Sequence, residues 1–276
     1  MTAHPPPPSC PPPGLVSRLR SAGCVFAEDE ARLLLATTSA PDDLEAMVER
    51  RVAGEPIEHV LGWAEFRGLR IAVDPGVFVP RRRTEFLAGR AATLCRPGDV
   101  VVDLCCGSGA VGAALVAEVG GVELHAVDVD PATVRCARRN VHTVDGRVYQ
   151  GDLYGPLPGE LRGRVAVLVA NTPYVPTGEF GLMPTEARDH EPRVALDGGT
   201  DGLDVQRRVA ASAPRWLAPG GHLLVEASER QAPLVAELFA ANGLGPWVAS
   251  CEELDATVVV GSRPGAPGAG RSRRDR

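Results

Sequence analysis

At 276 residues the chain is long enough for one large domain, or for one large and one small. Its hydrophobic fraction of 44% is that of a soluble globular protein, and no apolar run reaches the roughly 18 residues of a transmembrane helix. A net charge of −6, from 29 basic against 35 acidic residues, argues against a protein whose main work is gripping long nucleic acid.

All the basic residues are arginine and none is lysine, in a chain rich in Ala, Gly, Pro and Val. This is a compositional bias, so arginine richness alone is not a phosphate-binding signature. The seven cysteines are odd in number, lack paired spacings and include the adjacent Cys105 and Cys106. They form no disulfide framework, and no Cys/His cluster has zinc-ligand spacing, so no metal is expected. Reduced thiols, and a start without the basic-then-apolar pattern of a signal peptide, make the cytoplasm the expected compartment.

Residues 1–13 hold seven prolines, and residues 264–276 are Pro/Gly-rich and end Arg-Ser-Arg-Arg-Asp-Arg. Neither end can bury a core, and both are expected to be disordered. The basic tail either touches RNA or simply solubilises. From Leu15 to about Gly62 the pattern is helical. Ala27, Ala31, Leu34 and Leu35 share a face, and Asp42 and Asp43 offer caps for a helix running to about Val52. Glu65–Val73 then reads as a hairpin around Gly68. The expected small helical unit plus hairpin covers residues 14–75, and a second domain covers 76–263.

That second domain alternates. Strands are expected at Val100–Leu104, Glu123–Val127, Arg147–Gln150, Val165–Ala170 and His222–Glu226, with a terminal hairpin of Trp247–Cys251 and Ala256–Gly261. Helices are expected at Ala110–Val119, Pro131–Arg139, Asp204–Trp216 and Ala232–Asn242. Alternation of this kind gives an α/β, mostly parallel sheet wrapped by helices on both faces.

The first strand of this domain ends in Asp103, and Gly107 and Gly109 open the next helix. Glycines there allow close approach of a ligand to unpaired N–H groups. Asp128, at the end of the next strand, is placed to accept ribose hydroxyls; its alternative is a helix cap. Asp130-Pro131 caps the following helix. This spacing fits S-adenosylmethionine (SAM) or a nicotinamide cofactor. The turn Asp-x-Cys-Cys-Gly-Ser-Gly, the antiparallel end of the sheet and Asn171-Thr-Pro-Tyr174 at the fourth strand favour SAM. Gly151-Asp152-Leu153 falls where adenine would lie, with Asp152 either on the exocyclic amine or a plain loop carboxylate. At Asn171 a buried strand ends in an amide and breaks at proline. The side chain and the neighbouring carbonyls can there grip both hydrogens of an NH2 group.

Six motifs occur in order: Arg51-x3-Glu55-Pro56-x5-Gly62, Phe66-x-Gly68, Pro80-Arg81-x2-Thr84-Glu85, Asp103-Leu-Cys-Cys-Gly-Ser-Gly109, Asn171-Thr-Pro-Tyr174 and Glu191-Pro192-x2-Ala195-Leu196-x-Gly198-Gly199-x-Asp201-Gly202-Leu203. Over about residues 15–262 the chain resembles the HemK/PrmC family of release-factor glutamine methyltransferases. The resemblance implies a helical N-terminal domain before a Rossmann-like, seven-stranded methyltransferase domain with a terminal antiparallel hairpin, and SAM as donor. It implies N5-methylation of the glutamine in a Gly-Gly-Gln loop, with a peptide-chain release factor as partner and neither membrane nor stable nucleic-acid binding. By position, Asp103, Cys105, Cys106, Gly107, Ser108, Gly109, Asp128, Asp152, Leu153 and Asn171 would hold SAM. Asn171, Thr172, Pro173 and Tyr174 would hold the glutamine, and Asn171, Pro173 and Tyr174 would serve catalysis.

Two departures are visible. Thr172 stands where the family has proline, which frees φ and restores an N–H. Arg82-Arg83 stand where the family usually has Pro-Glu, and three arginines near a helix start oppose its dipole. They are expected to meet an anion, the SAM carboxylate or an acidic partner, or else to form a solvated cluster. Both departures keep other acceptors open: a nucleobase amine, another protein, or no acceptor at all in a SAM-binding paralogue.

Overall fold

The computed structural model describes residues 11–38 and 40–265; the expectations for residues 1–10 and 266–276 lie outside them. Four helices open the chain: α1 (Pro13–Ser21), α2 (Ala27–Thr37), α3 (Pro41–Val52) and α4 (Ile57–Leu61). They share a small core of Leu19, Ala27, Ala31, Leu34, Val48 and Val60. The helix starting at Pro13 begins inside the expected tail. Asp42 and Asp43 are not caps: α3 starts on Pro41 with no side-chain cap, and both carboxylates lie in its first turn, where they favour the helix dipole. Inside this unit Arg51 Nε donates to Glu30 Oε2 at 2.7 Å, both side chains about nine-tenths buried.

The hairpin β1 (Trp63–Phe66) and β2 (Leu69–Ala72) follows. Its residues Phe66 and Ile71, with Val73, pack in the core of the larger domain and not among the four helices. Asn140 explains the attachment. Its Oδ1 accepts from Ala72 N–H at 2.9 Å, and its Nδ2 donates to the carbonyls of Ala72 and Ser108 at 2.9 and 2.8 Å. One amide thus joins the hairpin to the glycine turn.

The remaining elements are α5 (Thr84–Leu94), β3 (Val100–Leu104), α6 (Ala110–Val119), β4 (Glu123–Asp128), α7 (Pro131–His142), β5 (Arg147–Gln150), β6 (Val165–Ala170), α8 (Thr185–His190), α9 (Asp204–Trp216), β7 (Leu217–Ala227), α10 (Ala232–Ala241), β8 (Gly245–Cys251) and β9 (Ala256–Ser262). They build a seven-stranded sheet of order β5-β4-β3-β6-β7-β9-β8. The strands from β5 to β7 are parallel, and β9 runs antiparallel between β7 and β8. β3, apolar but for Asp103, and the unbroken apolar run of β6 are buried nearly end to end, as strands covered on both faces must be. One core lies on each face of the sheet. The chain leaves β3 toward β4 and β5, then returns to lay β6 on the other side of β3. That reversal opens a crevice at the carboxyl ends of β3 and β6, the position where open α/β sheets take ligands. Among the described residues no helix is long and apolar enough to cross a membrane.

Candidate active site

A cavity of about 610 Å³ occupies that crevice, within the roughly 300–1,000 Å³ range of small-molecule sites. Asp103 and Cys105–Ser108 line it from β3, Asp128 from β4, Asp152 and Leu153 from the turn after β5, and Asn171–Tyr174 from β6. Every residue picked from the sequence as a site residue therefore meets the cavity except Gly109. That glycine is needed for packing: its φ is +80°, and a Cβ there would stand 2.7 Å from Val141 Cγ2. Gly107, at φ +56°, has open space where a Cβ would stand. Its backbone is therefore free to approach a ligand closely.

Two carboxylates shape the donor end. Asp128 Oδ2 accepts from Gly107 N–H at 2.9 Å and Oδ1 from Asp130 N–H at 3.1 Å. Both oxygens are thereby oriented and keep lone pairs for hydroxyl donors. Burial raises the Asp128 pKa against the pull of those N–H groups. Asp130, not Asp128, caps α7: its carboxylate accepts from Thr133 N–H at 2.7 Å. Asp103 is buried and accepts from Gly112 N–H at 2.9 Å. Desolvation pushes its pKa up to about 7. These residues could hold SAM: a cavity-lining carboxylate with both oxygens oriented, an open glycine turn and an apolar Leu153 in the turn after β5. Asp152 is already engaged, because Arg208 donates to its carboxylate across the cavity wall.

The acceptor end is held from behind. Tyr174 OH donates to Glu226 Oε1 at 3.1 Å, and the Tyr174 carbonyl accepts from Gln231 Nε2 at 3.0 Å. Asn171 Nδ2 lies 3.4 Å from Thr84 Oγ1. Thr172 is buried, and its hydroxyl has no hydrogen-bond partner among the described residues. No described residue donates to the carbonyls of Thr172 or Pro173.

The arginine run resolves differently from either sequence expectation. Arg81 pairs with the buried Glu191 at 2.6 Å, and Arg83 Nε donates to the buried Glu226 at 3.3 Å. Arg82 is exposed. Two of the three cations thus meet anions supplied by the chain itself. Sequence reasoning gave no site role to Phe78, Arg208, Met183, Pro184 or Glu186, nor to Pro192 and Leu196, which it quoted only within a motif; all line the cavity. It gave no role to Thr84 or Glu226. The only available signal for Glu226 was a lone acid at the end of an apolar strand. The six-residue α8, a 3-10 turn at Arg193–Ala195 and two prolines carry residues 183–196, and none of these elements is long enough to show a periodicity.

Comparisons with known proteins find similarity to methyltransferases. The Methyltransferase small domain profile matches residues 68–182. A methyltransferase from Pyrococcus furiosus shares the fold, with a TM-score of 0.54 over 71% of this chain and 90% of that one, at 18% identity. A 4-amino-L-phenylalanine/4-methylamino-L-phenylalanine methyltransferase from Streptomyces pristinaespiralis is 39% identical over 71% of this chain and 69% of its own length. The release factor glutamine methyltransferase of Streptomyces coelicolor is 43% identical over 70% of each chain. With that identity over more than two thirds of both chains, the chain belongs to the release factor glutamine methyltransferase family.

Proposed function

We propose that this chain methylates the side-chain nitrogen of a protein glutamine, in the Gly-Gly-Gln loop of a peptide-chain release factor. The observation that carries the reading is Asn171 at the carboxyl end of β6, followed by two carbonyls without protein donors at the wall of the cavity. Asn171 Oδ1 and the carbonyl of Thr172 or Pro173 accept the two amide hydrogens. Their grip turns the lone pair of the glutamine nitrogen toward the donor. Tyr174 packs beside the acceptor, its ring fixed by Glu226. Asp128 holds the ribose, Leu153 lies against adenine, and Asp152 meets the adenine amine from its pair with Arg208. SAM, when bound, supplies a methyl group activated on a sulfonium. The protein contributes proximity, orientation and fixed dipoles, and needs no nucleophilic side chain.

One observation favours a second acceptor. Arg83 lines the same cavity and its side chain is 45% exposed. A free amino acid bearing an aromatic amine would offer both an NH2 group and a carboxylate for Arg83. The test is incubation of the purified protein with SAM and either an intact release factor or 4-amino-L-phenylalanine, followed by mass spectrometry. One added methyl on the loop glutamine supports the first reading. Methylation of the amino acid alone replaces it with the second.

A further inference from the structure

The proposed clamp works in only one of the two orientations of the Asn171 amide. An asparagine side chain carries an acceptor on one side and two donors on the other. With Nδ2 toward the cavity, donor would face donor and an incoming NH2 group would be repelled. Nothing within residues 171–174 makes the choice, because this stretch is irregular and its nearest anchor, Gln231, holds the Tyr174 carbonyl.

The hydrogen-bond partner of the amide comes from far away in the chain. Asn171 Nδ2 donates to Thr84 Oγ1 at 3.4 Å, across 87 residues of sequence. Thr84 is the first residue of α5 and is only 2% exposed, and its own N–H is bonded to the Arg81 carbonyl at 2.9 Å. Its hydroxyl is therefore held in place beside the amide, where it accepts from Nδ2. The preceding residue reaches the other end of the same loop, since Glu226 accepts from both Arg83 Nε and Tyr174 OH.

We infer that Thr84 is a positioning residue for methyl transfer: by accepting from Nδ2 it turns Asn171 Oδ1 toward the acceptor. The inference rests on the amide-clamp reading above. It predicts that Thr84→Val, which keeps shape and removes the acceptor, lowers kcat about 10-fold or more while SAM affinity stays within about 2-fold. Thr84→Ser restores kcat. Equal kcat in wild type and Thr84→Val overturns it, and so does a fall in SAM affinity as large as the fall in kcat, which would mark a packing role.

A second measurement needs no acceptor. The Asn171 side-chain amide signals, identified by their loss in Asn171→Asp, should shift in Thr84→Val and stay near the wild-type position in Thr84→Ser. Unmoved signals in Thr84→Val overturn the inference even if no acceptor is methylated. A wild-type protein that methylates nothing counts against the proposed function alone, with the amide signals still deciding the role of Thr84.

Discussion

Gly107 N–H donates to Asp128 Oδ2 at 2.9 Å, which ties the glycine turn after β3 to the carboxyl end of β4. One side chain therefore shapes the turn and faces the cavity beside it. Asp128→Ala should weaken SAM binding by roughly 2–3 kcal/mol, the scale of losing hydrogen bonds to a charged group. Isothermal titration of SAM into both proteins checks this, and equal affinities would remove Asp128 from the site.

Asp103 should make stability depend on pH. Its pKa rises from 3.8 to about 7 on burial. A group raised in the folded state gives its full stability below the unfolded pKa and loses it as pH climbs through the folded one. Asp103→Asn removes that loss. Without cofactor, the variant should gain on wild type as pH rises from 4 to 8, by on the order of 4 kcal/mol at most. Melting curves across that range are the measurement, and a constant difference would mean that Asp103 is ionised throughout.

The hairpin should be needed for folding of the sheet domain, whereas the four helices should not. Phe66, Ile71 and Val73 lie in the large core, and Asn140 bonds the Ala72 backbone. A fragment beginning at Gly62 should melt cooperatively and bind SAM but fail to methylate an intact release factor. A fragment beginning at Asp74 should lose cooperative melting. If the shorter fragment folds as well as the longer, the hairpin is an ornament of the helical unit.

Thr172→Pro should keep methylation of a Gly-Gly-Gln protein or raise it a few-fold. No described residue accepts from the Thr172 N–H, and its buried hydroxyl has no partner among these residues. Proline also lowers the entropy of the unfolded loop, an effect of about 0.4–1 kcal/mol where the backbone is compatible. Loss of transfer with SAM binding intact would show that the threonine serves a different acceptor.

The sheet was legible because each strand carries its own signal. Val165–Ala170 is an unbroken apolar run, Val100–Leu104 is apolar but for Asp103, and Asp204–Trp216 has a clear helical period, so their bounds agree with the structure. The donor half of the site was legible for the same reason: its residues end those strands. The supports of the acceptor half were not. Thr84 and Asn171, or Arg83, Tyr174 and Glu226, are joined by hydrogen bonds spanning 52 to 143 residues, and no local pattern encodes such pairs. The roles of Gly109 and the arginine run also depended on neighbours outside any local pattern, Val141 for the first, Glu191 and Glu226 for the second.

In the amide clamp, Asn171 acts on the acceptor and not on the cofactor. Asn171→Ala, assayed with tritiated SAM and an intact release factor, tests it most directly. Turnover should fall about 100-fold or more, the cost of one preorganised polar group at a reacting centre, while SAM affinity measured on the same preparation changes little. Full turnover in the variant, or a loss of SAM affinity that accounts for all the lost turnover, would contradict the clamp.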